Sequence, residues 1–245
     1  MSDQRPEPLD LLVVAAHPDD AEICVGGTLL DARERGLRIG IVDMTRGEMG
    51  TRGSREERQR EADRASELLG LSMRVNLDQP DGRVEESIEL RERLAGVFRH
   101  WRPRVVIAQH TEDLHPDHAA TGRVTRSAWY LAGLKRLAQL AGDPAAHRPP
   151  FLFHFMGHVP FEPSLVVPID HVWERKVEVI RAYATQLESA SEADRGEHFL
   201  FGSDILARAE LRARAYGERI GGTFGEPLLH LGPLPLSPSG LPTDA

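Results

Sequence analysis

The sequence predicts a single α/β domain: a Rossmann-like, mostly parallel sheet flanked by helices on both faces. Short, continuously apolar runs rich in β-formers recur along the chain, as strands covered on both faces require. They alternate with longer segments of helical periodicity, the signature of a doubly wound sheet with right-handed crossovers. Two of the runs end abruptly in histidine, proline and aspartate, at the carboxyl ends of strands where such sheets bind ligands.

The elements follow in order. "LDLLVVAA" (Leu9 to Ala16) is a buried strand, "GGTLLDARERG" a helix closed by Gly36, and "LRIGIVDMT" a second buried strand. After the glycine-rich loop "RGEMGTRG", the segment "SREERQREADRASELLG" has a serine at the N-cap, glutamates in its first turns and Gly70 as its stop. "RVNLDQPDGR" predicts a short strand and turn, "EESIELRERLAGVFRHW" an amphipathic helix and "PRVVIAQ" another buried strand. From Arg148 the texture changes. "FLFHFMGHVPFEPSLVVPID" is aromatic and interrupted by prolines, which suits edge strands. "VWERKVEVIRAYATQLES" and "DILARAELRARAYGERIG" predict two further helices, and the polar stretch between them, with Glu192 to Gly202, is a candidate flap over a pocket. The domain is expected to span residues 1–236, leaving 237–245 as a disordered tail.

Composition narrows the function. A chain of 245 residues can bury a large core without disulfides. Its formal net charge of −8, with arginines scattered among acids, argues against a grip on nucleic acid or anionic lipid and leaves a small solute as the expected partner. Cys24 is the only cysteine, so any metal must be held by His, Asp or Glu. The first residues, "MSDQRPEPLD", lack a basic flank followed by an apolar stretch, and no apolar run approaches the roughly 20 residues of a spanning helix. A soluble, cytoplasmic protein is expected.

The first polar cluster is "HPDD". Pro18 biases His17 toward extended backbone and suits the first helical position, so strand turns into helix here, and His17 and Asp20 can share one face of that turn. Acidic residues also complement a helix dipole, so the cluster alone does not make a site. The second cluster, "HTEDLHPDH", repeats the form after another apolar strand, with His110, then His115, Pro116, Asp117 and His118. Two such clusters beyond two strands of one sheet point to a shared site. Two imidazoles and a carboxylate, with the fourth position left to water, match a catalytic zinc, and the same nitrogen and oxygen set also accepts other divalent ions such as iron, cobalt or manganese. A spare carboxylate could then take a proton and a spare histidine steady an oxyanion. His110, His154 and His158 remain rival ligands or packing residues, with the strand alternation favouring packing for the last two. Asp81 in "QPDGR" reads as an Asp-Gly turn residue, and Arg46, Arg52 and Arg55 as a solvated loop.

"AHPDDAE" (Ala16 to Glu22), the "GG" that follows and "HPDH" (His115 to His118) closely resemble the signatures of the LmbE or PIG-L family of zinc-dependent N-acetylglucosamine deacetylases. "READRASELLG", "NLDQPDGR", "EDLHPDH", "KVEVIRAYATQ" and "YGERIGGTFGEP" resemble the branch that deacetylates N-acetylglucosaminyl malate in bacillithiol biosynthesis. The resemblance implies His17, Asp20 and His118 as zinc ligands and Asp19 as the general base on the metal's water. It implies His115 facing the tetrahedral intermediate in protonated form, Asp117 holding the His115 imidazole in the useful tautomer, and Arg58 near the substrate. Glu22 would support the turn. A tyrosine that some members offer to the oxyanion has no counterpart in "EHFLFGSD". A homo-oligomer, possibly a hexamer, is also implied. The alternatives are another N-acyl sugar, such as a mycothiol precursor or a chitooligosaccharide, or a non-catalytic Rossmann-like protein that binds metal or nucleotide.

Overall fold

The computed structural model describes residues 6–50, 53–143, 145–187 and 205–234. The proposed flap and tail lie outside them. A seven-stranded sheet is ordered β3-β2-β1-β4-β5-β7-β6. Its strands are β1 (Leu11–Ala15), β2 (Ile39–Asp43), β3 (Met73–Asn76), β4 (Val105–Gln109), β5 (Phe151–Phe155), β6 (Leu165–Pro168) and β7 (Gly225–His230). The first five run parallel, and β7 pairs antiparallel with both β5 and β6. The sheet is therefore mostly parallel, as the alternating pattern requires.

The central strands are largely apolar because each feeds two cores. Leu11, Val13 and Ala15 pack with α1 (Asp20–Glu34), α2 (Arg55–Leu69) and α6 (Trp173–Arg181) on one face, where α8 (Ile205–Glu218) also contributes Ala213. Leu12 and Val14 pack on the other face with α3 (Ile88–Trp101) and α4 (Pro116–Ala132). All five β1 residues are buried, and each leucine or valine removed from water contributes about 1.5–3 kcal/mol. Helix α2 starts at a complete capping box between Ser54 and Glu57 and stops at Gly70 in the left-handed region, matching its sequence signals. Short helices α5 (Lys135–Leu140) and α7 (Ala184–Leu187) complete the described elements.

Two local readings are corrected by the structure. β5 is interior, between β4 and β7, and only β6 of the proline-interrupted pair is an edge. β7 supplies the strand that covers β5. Helix α1 begins at Asp20 and breaks at Val25 (φ −137°, ψ 20°), just before the glycine pair. At this break the Glu226 carboxylate accepts the Gly27 and Thr28 amides at 2.8 and 2.7 Å, so the second half of α1 is capped by a side chain from β7. A Cβ at Gly27 would lie 2.8 Å from Ile169 and 2.9 Å from Glu226 Oε1, which is why glycine stands there.

Candidate active site

Strands β1 and β4 are neighbours, and the strand order reverses between them, so their carboxyl ends open onto one crevice. The segments carrying the two polar clusters leave from these ends. Asp20 is their meeting point. Its Oδ2 lies 3.2 Å from His17 Nδ1 and its Oδ1 lies 3.3 Å from His118 Nε2. Gln109, the last residue of β4, ties the two strand ends together by accepting the Ala16 amide at 2.8 Å and donating to Asp20 Oδ2 at 2.9 Å. A cleft of about 440 Å³ opens beside this cluster, lined among others by His17, Asp19, Asp20, Arg58, Asp81 and His115.

The donor set fits a divalent ion. Two ligands on a tetrahedral zinc, each about 2.0–2.1 Å from it, are separated by about 3.3 Å. Asp20 stands at that separation from both imidazoles. One donor atom each from His17, Asp20 and His118 lie within 4.8 Å of one another. The electrostatics ask for a cation at this point. Burial opposes ionisation of Asp20, but His118 and His17 overcome it and hold the carboxyl well below its usual range. Burial likewise disfavours charge on His118, yet Asp20 and Asp113 raise it to about 9. Acidic neighbours thus draw onto the imidazoles the positive charge that a metal would bring.

Asp19 stands apart from that set. It is the N-cap of α1 at φ 122°, ψ −31°, a backbone conformation L-residues rarely adopt and one that costs on the order of 1–3 kcal/mol. Burial raises its carboxyl to about 6, opposed by the Arg58 guanidinium. Arg58, 3% exposed, donates to the Pro18 carbonyl at 2.6 Å and to Asp19 Oδ2 at 3.4 Å.

His115 is the N-cap of α4, and its Nδ1 accepts the Asp117 amide at 3.2 Å. An accepting Nδ1 leaves the ring proton on Nε2. The Asp117 carboxylate is directed elsewhere: it accepts the Gly82 and Val84 amides at 2.7 and 3.0 Å and lies 3.4 Å from His17 Nε2. The contact from Asp117 to His115 therefore runs through the backbone, where the sequence reading had the side chain. Burial and the neighbouring His118 and His17 push His115 below the usual histidine range.

Several site residues were not singled out as such. Asp81 is more than a turn residue: its Oδ1 lies 3.1 Å from His17 Nε2 and its Oδ2 accepts the Met49 amide at 2.7 Å. Asp113 accepts the His158 and His115 amides, both at 2.9 Å, and its Oδ1 meets His158 Nδ1 at 2.8 Å and His118 Nδ1 at 3.3 Å. Burial opposes its charge, but His118 and His158 hold its carboxyl far below the usual range. His158 consequently borders the cleft, contrary to the packing role read from strand alternation. His154 is fully buried, with Nδ1 donating to the Gln109 carbonyl at 2.8 Å, and His110 packs on His154 and Phe161. Glu22, also fully buried, accepts from Arg74 at 2.7 Å and Tyr183 at 2.8 Å behind the turn.

Comparison with known proteins agrees with this geometry. Residues 12–129, which include both clusters, match the family model described as PIG-L, GlcNAc-PI de-N-acetylase. The chain carries a PIG-L (LmbE) family domain. Among solved structures, the conserved protein TT1542 from Thermus thermophilus is similar over 94% of this chain and 98% of its own, with 38% identity and a TM-score of 0.81. Diacetylchitobiose deacetylase of Thermococcus kodakarensis is 28% identical, over 72% of this chain and 69% of its own length. The probable N-acetyl-alpha-D-glucosaminyl L-malate deacetylase 2 of Bacillus anthracis is 29% identical, over 72% and 80% respectively. By name these two relatives are deacetylases of different N-acetylglucosamine conjugates, whereas a 4-oxalmesaconate hydratase of Pseudomonas putida is also similar, 26% identical over 71% of this chain and 73% of its own length.

Proposed function

We propose that this PIG-L protein hydrolyses the acetamide of an N-acetylglucosaminyl conjugate, most plainly the malate glycoside, with zinc held by His17, Asp20 and His118. The observation that carries the reading is the convergence of those three donors beside a fourth side chain, Asp19, that the ligand set does not need. A binding site requires one carboxylate; a second, half-buried on the cleft wall, is explained by proton transfer. When bound, the metal supplies Lewis acidity toward the acetamide carbonyl and lowers the pKa of water to about 7.

The chain's own residues do the rest. Asp19 accepts a proton from the attacking water and, once protonated, delivers it to the departing nitrogen as the C–N bond breaks. His115 donates its Nε2–H toward the carbonyl oxygen as negative charge develops there, serving as a neutral hydrogen-bond donor because the Asp117 amide occupies Nδ1. Asp117 holds the turn that carries Asp81 through the Gly82 and Val84 amides and so shapes the cleft wall. Arg58 borders the same cleft beside Asp19.

The malate assignment draws on the Bacillus anthracis relative, and the deacetylase of diacetylchitobiose marks the competing aglycone. The test is amine release from N-acetylglucosaminyl malate, diacetylchitobiose and free N-acetylglucosamine by chelator-stripped protein with and without added zinc. Zinc-dependent release, fastest on the malate conjugate, is expected. Turnover indifferent to metal would refute the metal-assisted reading, and preference for chitobiose would refute the malate assignment alone.

A further inference from the structure

We infer that Arg58 is a positioning residue: its guanidinium clamps the strained Pro18–Asp19 peptide and so aims the Asp19 carboxylate into the cleft. The inference deepens the reading of Asp19 as the base and rests on it. Four observations carry it. Asp19 is one of three non-glycine residues with positive φ among the described residues, and at 122° it lies farthest from the left-handed well that the other two, Asp78 at 50° and Arg102 at 46°, occupy. A conformation of that kind persists only where its surroundings hold it. Besides the Ile23 amide, which donates to the Asp19 carbonyl at 2.9 Å, the holding contacts come from one side chain: Arg58 Nη2 donates to the Pro18 carbonyl at 2.6 Å while Nη1 reaches Asp19 Oδ2 at 3.4 Å. Both ends of the strained unit are therefore gripped by a single rigid fork.

The fork is itself fixed. Arg58 sits in the first turn of α2, anchored by the Ser54 capping box, with its amide donating to the Ser54 carbonyl at 2.9 Å. The Tyr183 ring covers it on one side, 5.8 Å from ring centroid to Arg58 Cζ. Gly47 closes the other side: at φ +69° a Cβ there would lie 2.7 Å from Arg58 Nη2. A residue meant only to read a sugar hydroxyl needs a donor facing the cleft. It needs no second donor bound to the carbonyl behind the base.

The test uses full-length, zinc-loaded protein with diacetylchitobiose and N-acetylglucosaminyl malate. Arg58→Lys keeps a positive charge but loses the paired donors. A displacement near 1 Å in a catalytic group lowers rate on the order of 100-fold. The expected result is therefore a kcat about 100-fold lower, with KM and zinc affinity by chelator competition within about threefold of wild type. A raised KM with unchanged kcat would make Arg58 a substrate contact, and recovery of full kcat by lysine would make it a charge effect; either overturns the clamp.

A readout independent of turnover comes from melting. Arg58→Lys should lower the melting temperature similarly in wild type and in Asp19→Asn, and by more in Asp19→Gly, because without the fork the strained residue relaxes and recovers part of its cost, whereas glycine carries no such strain to recover. Equal losses in all three backgrounds overturn the proposal. If Asp19→Asn turns over at the wild-type rate, the base reading fails, while the melting comparison still judges the clamp on its own.

Discussion

The Lys176 ammonium lies 2.6 Å from the Glu226 carboxylate, and both side chains are 2% exposed. The same carboxylate caps the second half of α1 through Gly27, Thr28 and the Thr28 hydroxyl. It thereby fixes the helix whose first turn carries Asp20 and Glu22. Removing one partner of a buried pair leaves the other charge uncompensated, a loss of about 3–5 kcal/mol. Glu226→Ala is expected to destabilise the fold by that order in urea unfolding, and pairing it with Lys176→Met should restore part of the loss. A change below about 1 kcal/mol would show that the pair is solvated.

Asp19 and His118 should separate chemistry from metal binding. Asp19→Asn is expected to keep zinc in equilibrium dialysis and lose turnover by about 100-fold or more, the range that a general base contributes. His118→Ala removes a proposed ligand and should weaken zinc itself. Two variants that remain fully active, or an Asp19→Asn protein that no longer retains zinc, would reverse these roles.

The Asp117 carboxylate holds the Gly82 and Val84 amides, and Asp81 precedes both. Asp117→Ala leaves the buried Val84 amide without its acceptor, which costs about 1–3 kcal/mol, and frees the turn that places Asp81 beside His17. Lower stability together with a raised KM is expected, since a displaced cleft wall weakens substrate binding. If Asp117 acted only on the His115 tautomer, kcat alone would fall and the urea midpoint would hold.

How much of this was legible in the sequence depends on how local each signal is. Strands β1, β2 and β4 declared themselves because burial on both faces leaves nearly continuous apolar runs, and α2 because its cap and its stop are written in the sequence at its two ends. His17 with Asp20, and His115 to His118, stood out because proline and charge follow directly on apolar strands. Asp81, Asp113 and His158 carry no such local mark: each joins the site by a contact with a distant segment, Asp81 to His17 and Asp113 to His158. The same holds for β5, whose aromatic and proline-flanked sequence resembles an edge. Only the later strand β7, lying against it, makes it interior.

The interior place of β5 yields a pH prediction through His154. Its ring is fully buried on this strand, Nδ1 donates to the Gln109 carbonyl at 2.8 Å, and Nε2 has no partner among the described residues. The charged groups and rings facing it are His110, Arg126 and His230, none of them acidic. Burial is the main cause that lowers its pKa to about 4, helped by those neighbours and opposed by the Gln109 carbonyl. The folded state therefore refuses a proton that the unfolded chain accepts near pH 6.5, so stability is complete above 6.5 and declines as pH falls toward 4. A gap of this size corresponds to about 3 kcal/mol once pH is below both values. His154→Phe removes that proton uptake. It should weaken the protein at pH 7 by stranding the Gln109 carbonyl, yet flatten the dependence of unfolding free energy on pH between 6.5 and 4 relative to wild type. Parallel acid limbs for the two proteins in urea titrations would show that His154 is charged in the fold.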